Sequence, residues 1–426
     1  MSAVIILIVF VLGYVAISLE HLLKLNKAAS ALITGVLCWT VYVVQSGTSH
    51  HPSEELVAHL GEISSILFFL MGAMTIVELI DSHGGFNIIT RKISTTNKQV
   101  LLIIITVLTF FLSALLDNLT TAIVMTSLCS KILSEKEDRL WFAGMIIIAA
   151  NAGGVWSPLG DVTTTMLWIG GQITAINIMK ELILPSMVVC FIPAIIIAFR
   201  FKGKKFSKVP KQRSTPKEKR DGKIILFVGV GLLLFVPVFK TLTNLPPFMG
   251  MLLSLGLIWI VITIIHNNKD PESIRRFSVA KALQKIDTQS ILFFLGILLA
   301  VSALQSFGIL RVLATFLNNT LKNTYLIGTA LGLLSSVVDN VPLVAAAQGM
   351  YHLSDYPTDH PFWEFLALTT GTGGSAIIIG SAAGVAVMGI EKVNFMWYLK
   401  KISLLALIGF AAGIVVFLLQ LELHFF

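Results

Sequence analysis

Uncharged, predominantly apolar runs of about 20 residues recur from one end of this 426-residue chain to the other. A helix of that length crosses the roughly 30 Å hydrocarbon core of a lipid bilayer. Charged residues make up only 13% of the chain, about half of their share in an average soluble domain. We therefore predict an all-α polytopic membrane protein with about 10–12 transmembrane helices.

Two apolar segments, at about 99–133 and 324–352, are interrupted by polar residues in the sequences LLDNLT and VVDNVP. Their return arms are too short to cross a bilayer comfortably, and neither turn carries the hydrophilic loop expected at a membrane surface. Re-entrant helical hairpins are therefore favoured over two full spans in each segment. The segments at about 140–170 and 362–390 contain Gly-Gly pairs, in NAGG and GTGG, and are predicted to be broken helices.

The two halves of the chain repeat these features in the same order. SSILFFL at 64–70 matches QSILFFL at 289–295, LDN matches VDN in the two hairpins, and NAGG matches GTGG. An odd number of predicted spans, five, separates the starts of the two units, so the second unit is inverted relative to the first. We predict inverted repeats at 1–200 and 224–426, joined by a basic linker at 201–223.

The net charge of +8 is concentrated near that linker, because residues 200–223 hold eleven Lys or Arg. A basic loop beside membrane helices marks the cytoplasmic side and can contact anionic lipid, so we infer no nucleic-acid partner. The three cysteines lie in apolar stretches without paired or metal-ligand spacing. No disulfide and no zinc site are therefore expected. We also expect no cofactor.

Three charged residues lie deep in apolar sequence: Asp117, Asp161 and Asp339. A carboxylate in the middle of a membrane segment is costly, so such residues usually face protein or water and have a function. All three are acidic, and no Lys or Arg is expected at a comparable depth. A small cation would supply the missing countercharge, whereas an anionic substrate would be repelled.

Neutral oxygen-bearing side chains surround these aspartates, as a hard cation such as Na⁺ requires. Because a buried carboxylate can hold either a proton or a cation, the two would compete for it. Glu62 and Asp287 align at the starts of matching spans nearer the membrane surface, where a structural role is favoured. The neutral candidates are Asn118, Thr120, Thr121, Asn151, Ser157, Thr163, Thr164, Thr165, Asn340, Thr370, Thr372 and Ser375.

The stretches LDNLTTAIVM, NAGGVWSPLGDVTTTMLWIGGQI and DNVPLVAAAQGMY resemble the signature sequences of the NhaD-type sodium/proton antiporters. That family belongs to the ion transporter superfamily, together with divalent-anion/sodium symporters and arsenite permeases. The resemblance implies elevator-like exchange of Na⁺ or Li⁺ for H⁺ by a homodimer in a bacterial inner membrane. It also implies a set of ion-binding residues: Asp117, Asn118, Thr120, Asn151, Asp161, Asp339, Asn340 and Ser375.

The second repeat departs from the first at two of these positions. Ser381 is the counterpart of Asp161, and Gly371 is the counterpart of Asn151. We therefore expect an asymmetric site in which Asp117 and Asp161 are the principal carboxylates and Asp339 is a supporting one.

Four other functions are compatible with parts of this pattern. A Na⁺-coupled organic-anion symporter or an arsenite exporter of the same superfamily is the nearest alternative, although a deep Lys or Arg would favour it. An intramembrane aspartyl protease would use paired aspartates, but it leaves the repeat unexplained. A cation channel would not need carboxylates able to bind protons on mobile halves. The sequence thus favours a transporter over an enzyme.

Overall fold

The computed structural model describes residues 2–18, 20–23, 25–46, 52–86, 95–206, 216–267, 275 and 277–423. The described residues form twenty helices. In the first half these are α1 (Ser2–Ser18), α2 (Glu20–Leu23), α3 (Lys27–Ser46), α4 (Pro52–Ser82), α5 (Lys98–Leu116), α6 (Asn118–Ile132), α7 (Lys136–Gly154), α8 (Val162–Ile169) and α9 (Ala175–Arg200). In the second half they are α10 (Pro216–Thr243), α11 (Pro247–His266), α12 (Val279–Leu283), α13 (Thr288–Ser306), α14 (Ile309–Leu321), α15 (Thr324–Leu334), α16 (Asn340–Met350), α17 (Pro361–Gly373), α18 (Ala382–Glu391), α19 (Phe395–Lys401) and α20 (Ser403–Leu423).

Eight of the described helices are long and apolar enough to cross a bilayer: α3, α4, α5, α9, α10, α11, α13 and α20. The prediction of a helical membrane protein is confirmed.

Helix α10 begins at Pro216, before the predicted end of the linker at 223. Linker residues 207–215 lie outside the described residues. Helix α14 had no predicted counterpart, because its 13 residues are too few to span and include Arg311.

Both predicted hairpins are present as pairs of helices with a break at the polar residues. Helices α5 and α6 are separated by the single residue Asp117, whereas residues 335–339 separate α15 from α16. Helices α15 and α16 have 11 residues each, about 16 Å of helix, which is too short to cross the hydrocarbon core. The predicted broken helices are α7 with α8 and α17 with α18.

Matching contacts hold each hairpin against the broken helix of its own half. The Ser113 hydroxyl donates to the Ala150 carbonyl at 2.5 Å, and the Ser335 hydroxyl donates to the Thr370 carbonyl at 2.6 Å. These two pairs occupy equivalent positions, so the sequence repeat is also a structural repeat.

The Gly-Gly pairs let the broken helices approach the hairpins closely. A Cβ on Gly153 would overlap the Phe110 carbonyl oxygen, and a Cβ on Gly373 would overlap the Gly332 carbonyl oxygen. Close approach of backbones is the usual role of small residues in membrane helices. These glycines therefore serve close packing of the broken helices against the hairpins.

The helices pack as two groups. The hairpins and broken helices pack with one another and with α9 and α20; we call these the site helices. Helices α1, α3, α4, α10, α11 and α13 pack mainly with one another and form the flanking helices. The two groups meet where α8 contacts α4, α5 contacts α10, and α16 contacts α13.

Candidate functional site

Four helices begin where the hairpins and broken helices meet, and each has a polar capping residue at its N-terminus. A helix N-terminus carries a partial positive charge and unpaired N–H groups, so it favours a carboxylate or hydroxyl there. Each capping side chain accepts a hydrogen bond from the backbone of its own first turn. The caps are Asp117 on α6, Asp161 on α8, Asp339 on α16 and Ser381 on α18.

Asp161 lies at the centre of this junction and is 2% exposed. Its Oδ2 accepts from Asn118 Nδ2 at 2.7 Å. Asn340 Nδ2 lies 3.3 Å from Oδ1 and 3.4 Å from Oδ2. The Thr163 backbone N–H and hydroxyl both donate to Oδ1 at 2.9 Å. One buried carboxylate therefore receives side-chain amides from both hairpins.

Asn151 extends this network into the second broken helix. Its Oδ1 accepts from Asn118 Nδ2 at 3.2 Å, while its own Nδ2 donates to Ser375 Oγ at 2.9 Å and Ser381 Oγ at 3.0 Å. Asn151 is fully buried. The predicted residues Asn118, Asn151 and Ser375 are thus joined to Asp161 in one hydrogen-bond network.

Asp117 has a different environment. Among the contacts of the described residues, its carboxylate accepts hydrogen bonds only from the first turn of its own helix. Oδ1 accepts from the Thr120 backbone N–H at 2.8 Å, and Oδ2 accepts from the Thr120 hydroxyl at 2.9 Å. Its backbone has φ 78° and ψ 156°, a region that is nearly restricted to glycine and costs other residues about 1–3 kcal/mol. Strain of this size at a polar turn is typical of functional positions.

A narrow cavity of about 50 Å³ lies between the site helices and the flanking helices. Asp117, Asn118 and Asp161 line one side, and apolar side chains such as Phe69 and Phe294 line the other. Among its lining residues, the charged ones are Asp117 and Asp161. The volume accommodates about one or two water-sized particles. The cavity is suited to a small cation.

Comparison with known proteins identifies the family. A family model described as a citrate transporter matches residues 3–371. "Sodium/proton antiporter 1" of Arabidopsis thaliana is 46% identical over 98% of this chain and 72% of its own length. "Na(+)/H(+) antiporter NhaD" of Vibrio cholerae is 30% identical over 97% of this chain and 91% of its own length. The chain belongs to the NhaD-type antiporter family.

Two solved structures share the fold of this family member. The YdaH transporter of Alcanivorax borkumensis has a TM-score of 0.60 at 11% identity, over 94% of this chain and 99% of that one. MtrF of Neisseria gonorrhoeae has a TM-score of 0.55 at 11% identity, over 92% and 94%. At such low identity the likeness concerns the fold alone.

Asp339 lies apart from the cavity lining in this family member. Its Oδ1 accepts from the Val341 backbone N–H at 3.3 Å. The Tyr14 hydroxyl reaches its backbone, and Lys27 is near enough for its positive charge to act on the carboxylate. The sequence predicted no Lys acting on these aspartates. Lys27 is an exception for Asp339, because α3 packs against α13, which contacts α16 of the second hairpin.

The secondary candidates do not join the network. The hydroxyls of Thr164 and Thr372 donate to backbone carbonyls. The Glu62 side chain is 82% exposed, 3.8 Å from His59, and Asp287 is the N-cap of α13. The structural role favoured for Glu62 and Asp287 agrees with these positions.

Ser381 was not identified as a binding residue from the sequence, and Thr163 was not distinguished from its neighbouring threonines. Ser381 was only a departure from the repeat, yet its hydroxyl accepts from Asn151. Thr163 was one of several hydroxyls in a Thr run, and it donates twice to Asp161. Recognising Ser381 as an N-cap, and Thr163 as a residue of the first turn after one, would have required knowing where α18 and α8 begin.

Proposed function

We propose that the protein exchanges Na⁺, and also Li⁺, for H⁺ across a membrane. The observation that carries this proposal is the buried Asp161 carboxylate, which receives amides from both hairpins beside a cavity whose charged lining residues are Asp161 and Asp117. The names of the Arabidopsis and Vibrio relatives support the same activity. They come from a plant and a bacterium, so the bacterial inner membrane remains part of the proposal.

Competition for one carboxylate couples the two ions. A proton on Asp161 neutralises it, whereas a cation needs the ionised form and several oxygen ligands. Asn118 and Asn340 donate N–H groups to the carboxylate, and each also carries a carbonyl oxygen. Rotation of these amides would turn donors to the carboxylate into ligands for the ion.

The transport step proposed here is movement of the site helices against the flanking helices. The cavity lies between the two groups, and its flanking wall is formed by apolar side chains of α4, α10, α11 and α13 together with the polar Ser290 of α13. The site helices can move along an apolar wall when a cation or proton neutralises the carboxylates. The same wall opposes the movement of an unpaired charge. This arrangement would make exchange obligatory, in an elevator-type cycle.

We propose a homodimer assembled through the flanking helices.

The alternative of an organic-anion symporter is suggested by the description of the matching family model. The cavity argues against it, because pockets for organic ligands typically measure about 300–1,000 Å³ and this one measures about 50 Å³. Its two carboxylates would also repel a tricarboxylate. An arsenite exporter would have no use for the two acidic charges.

Proteoliposomes with an imposed pH gradient test the proposal. Adding Na⁺ or Li⁺ should collapse the gradient, whereas citrate or arsenite should not, and Asp161→Asn should reduce the response to background. Asp287→Asn is the matched control, because it makes the same change at an exposed N-cap and should exchange normally. A gradient that survives Na⁺ and Li⁺ while citrate or arsenite is transported would overturn the proposal.

A further inference from the structure

A second polar cavity, of about 210 Å³, lies at the N-terminal end of α17. It is bounded by α9, α17 and α20, and it shares no lining residue with the cavity at Asp161. Its polar lining residues come from both halves of the chain: Asn177, Glu181, Asp359, Glu364 and Gln420.

Among the contacts of the described residues, two buried oxygen atoms of this cavity lack a hydrogen-bond partner. Glu364 is 1% exposed, and its Oε1 accepts from Asn177 Nδ2 at 2.8 Å, but its Oε2 is unpaired. Gln420 is 6% exposed, and its Oε1 is also unpaired. Its Nε2 lies 3.4 Å from the Glu181 carbonyl. Buried acceptors without donors are unfavourable, so the pair indicates a bound species that supplies positive charge or donors.

The charge around the cavity favours a cation. The ionisable lining residues are Glu181, Asp359 and Glu364, all acidic. Lys180 acts on Glu181 and Lys240 acts on Asp359 from outside the lining. Asp359 already accepts from the Thr174 backbone N–H at 2.6 Å and hydroxyl at 2.8 Å. Among these three lining carboxylates, Glu364 combines burial with an unpaired oxygen.

The chemistry of the candidate ligands indicates which kind of cation would bind. Every candidate ligand is an oxygen, which suits Mg²⁺, Ca²⁺ or Mn²⁺ rather than a softer metal. The described residues contain no group of three or more His, Cys, Asp or Glu arranged to hold a metal. Mg²⁺ is commonly held by one or two carboxylates and keeps several waters. At about 30 Å³ per water, the cavity has room for such a hydrated ion.

We propose that this cavity binds a partly hydrated divalent cation of the Mg²⁺ class, with Glu364 Oε2 and Gln420 Oε1 as its protein ligands. The ion joins α17 to α20 of the second repeat, in a cavity that Asn177 and Glu181 of α9 also line. Its binding is independent of the Na⁺/H⁺ exchange proposed above.

Mn²⁺ titration of the purified full-length protein, followed by electron paramagnetic resonance, tests this site, because bound Mn²⁺ loses the sharp signal of the free ion. We expect one saturable Mn²⁺ per chain, displaced by Mg²⁺ but not by Na⁺ at equal ionic strength. Glu364→Gln should weaken binding by at least about tenfold. Gln420→Leu should weaken it as well, which keeps the test valid if Glu364→Gln fails to fold.

Two controls separate this site from the others. Asp355→Asn removes a carboxylate from the same loop outside the cavity and should bind Mn²⁺ normally. Asp161→Asn should also bind normally, whatever its effect on exchange. Absence of saturable binding, equal displacement by Na⁺, or unchanged binding in both Glu364→Gln and Gln420→Leu would overturn the assignment.

Discussion

The two repeats differ in opposite ways at their two pairs of capping residues. Asp161 and Ser381 have nearly the same backbone, with φ −143° in both and ψ of 146° and 152°, but only one of them is charged. Asp117 and Asp339 are the same residue, yet φ is 78° in the first and −52° in the second. The broken helices thus share a conformation and differ in chemistry, whereas the hairpin turns share chemistry and differ in conformation.

This difference separates capping from ion binding. Ser381 shows that a hydroxyl is sufficient to cap a helix at this junction, so the charge of Asp161 serves something beyond capping. Asp339 shows that an aspartate can cap a hairpin helix in a relaxed conformation. Asp117 is strained because its turn has a single residue between helices, whereas the second turn has five. The first repeat therefore carries both the unduplicated charge and the strained one.

The largest expected effect is produced by Asp117→Gly. Glycine adopts φ 78° readily, which relieves about 1–3 kcal/mol of strain, and it replaces a capping residue at a cost of only a few tenths of a kcal/mol. The free energy of unfolding should stay the same or rise, while Na⁺-driven collapse of the pH gradient falls to background. Thermal unfolding in detergent and the proteoliposome assay measure the two quantities. Exchange at the normal rate would mean that this carboxylate is structural.

Replacing one packing glycine in each half should affect the two repeats equally. Gly153→Ala and Gly373→Ala each place a methyl group against a backbone carbonyl, and overpacking of this kind costs about 1–3 kcal/mol. Gly389→Ala is the control, since a Cβ there meets nothing within 4 Å. Thermal unfolding midpoints should fall for both test variants but not for the control. A loss in only one half would show that the structural symmetry does not extend to packing energy.

Asp339→Asn should impair exchange less than Asp117→Asn, by about tenfold or less. Asparagine keeps an oxygen for the Val341 backbone N–H, but it removes the negative charge that Lys27 offsets. The double variant Lys27→Met with Asp339→Asn should therefore recover part of the activity, a coupling that exchange rates of the four combinations measure. Complete loss in Asp339→Asn with no recovery would place Asp339 among the principal carboxylates.

Much of the fold could be predicted because its signals are local. The breaks in LLDNLT and VVDNVP, and the isolated charge of Asp161, are visible against apolar sequence. Contacts between distant segments could not be predicted in the same way. From the sequence, Lys27 is an ordinary lysine at a helix end. Glu364 follows an acidic loop, so the sequence predicts that it is exposed to solvent. Only the packing of α3 against α13, and of α17 against α9 and α20, shows what these two side chains face.

The smallest expected effect belongs to Ser381→Ala, the counterpart of the central carboxylate. It removes the cap for the Gly384 backbone N–H and one acceptor for Asn151, which together lower the free energy of unfolding by about 1 kcal/mol. Exchange should persist with only a modest change in the Na⁺ concentration for half-maximal response. Asp161→Ser is the reciprocal variant: it keeps a capping hydroxyl, removes the charge, and should abolish exchange. Equal loss of activity in the two variants would mean that the network geometry, rather than the charge of Asp161, determines ion binding.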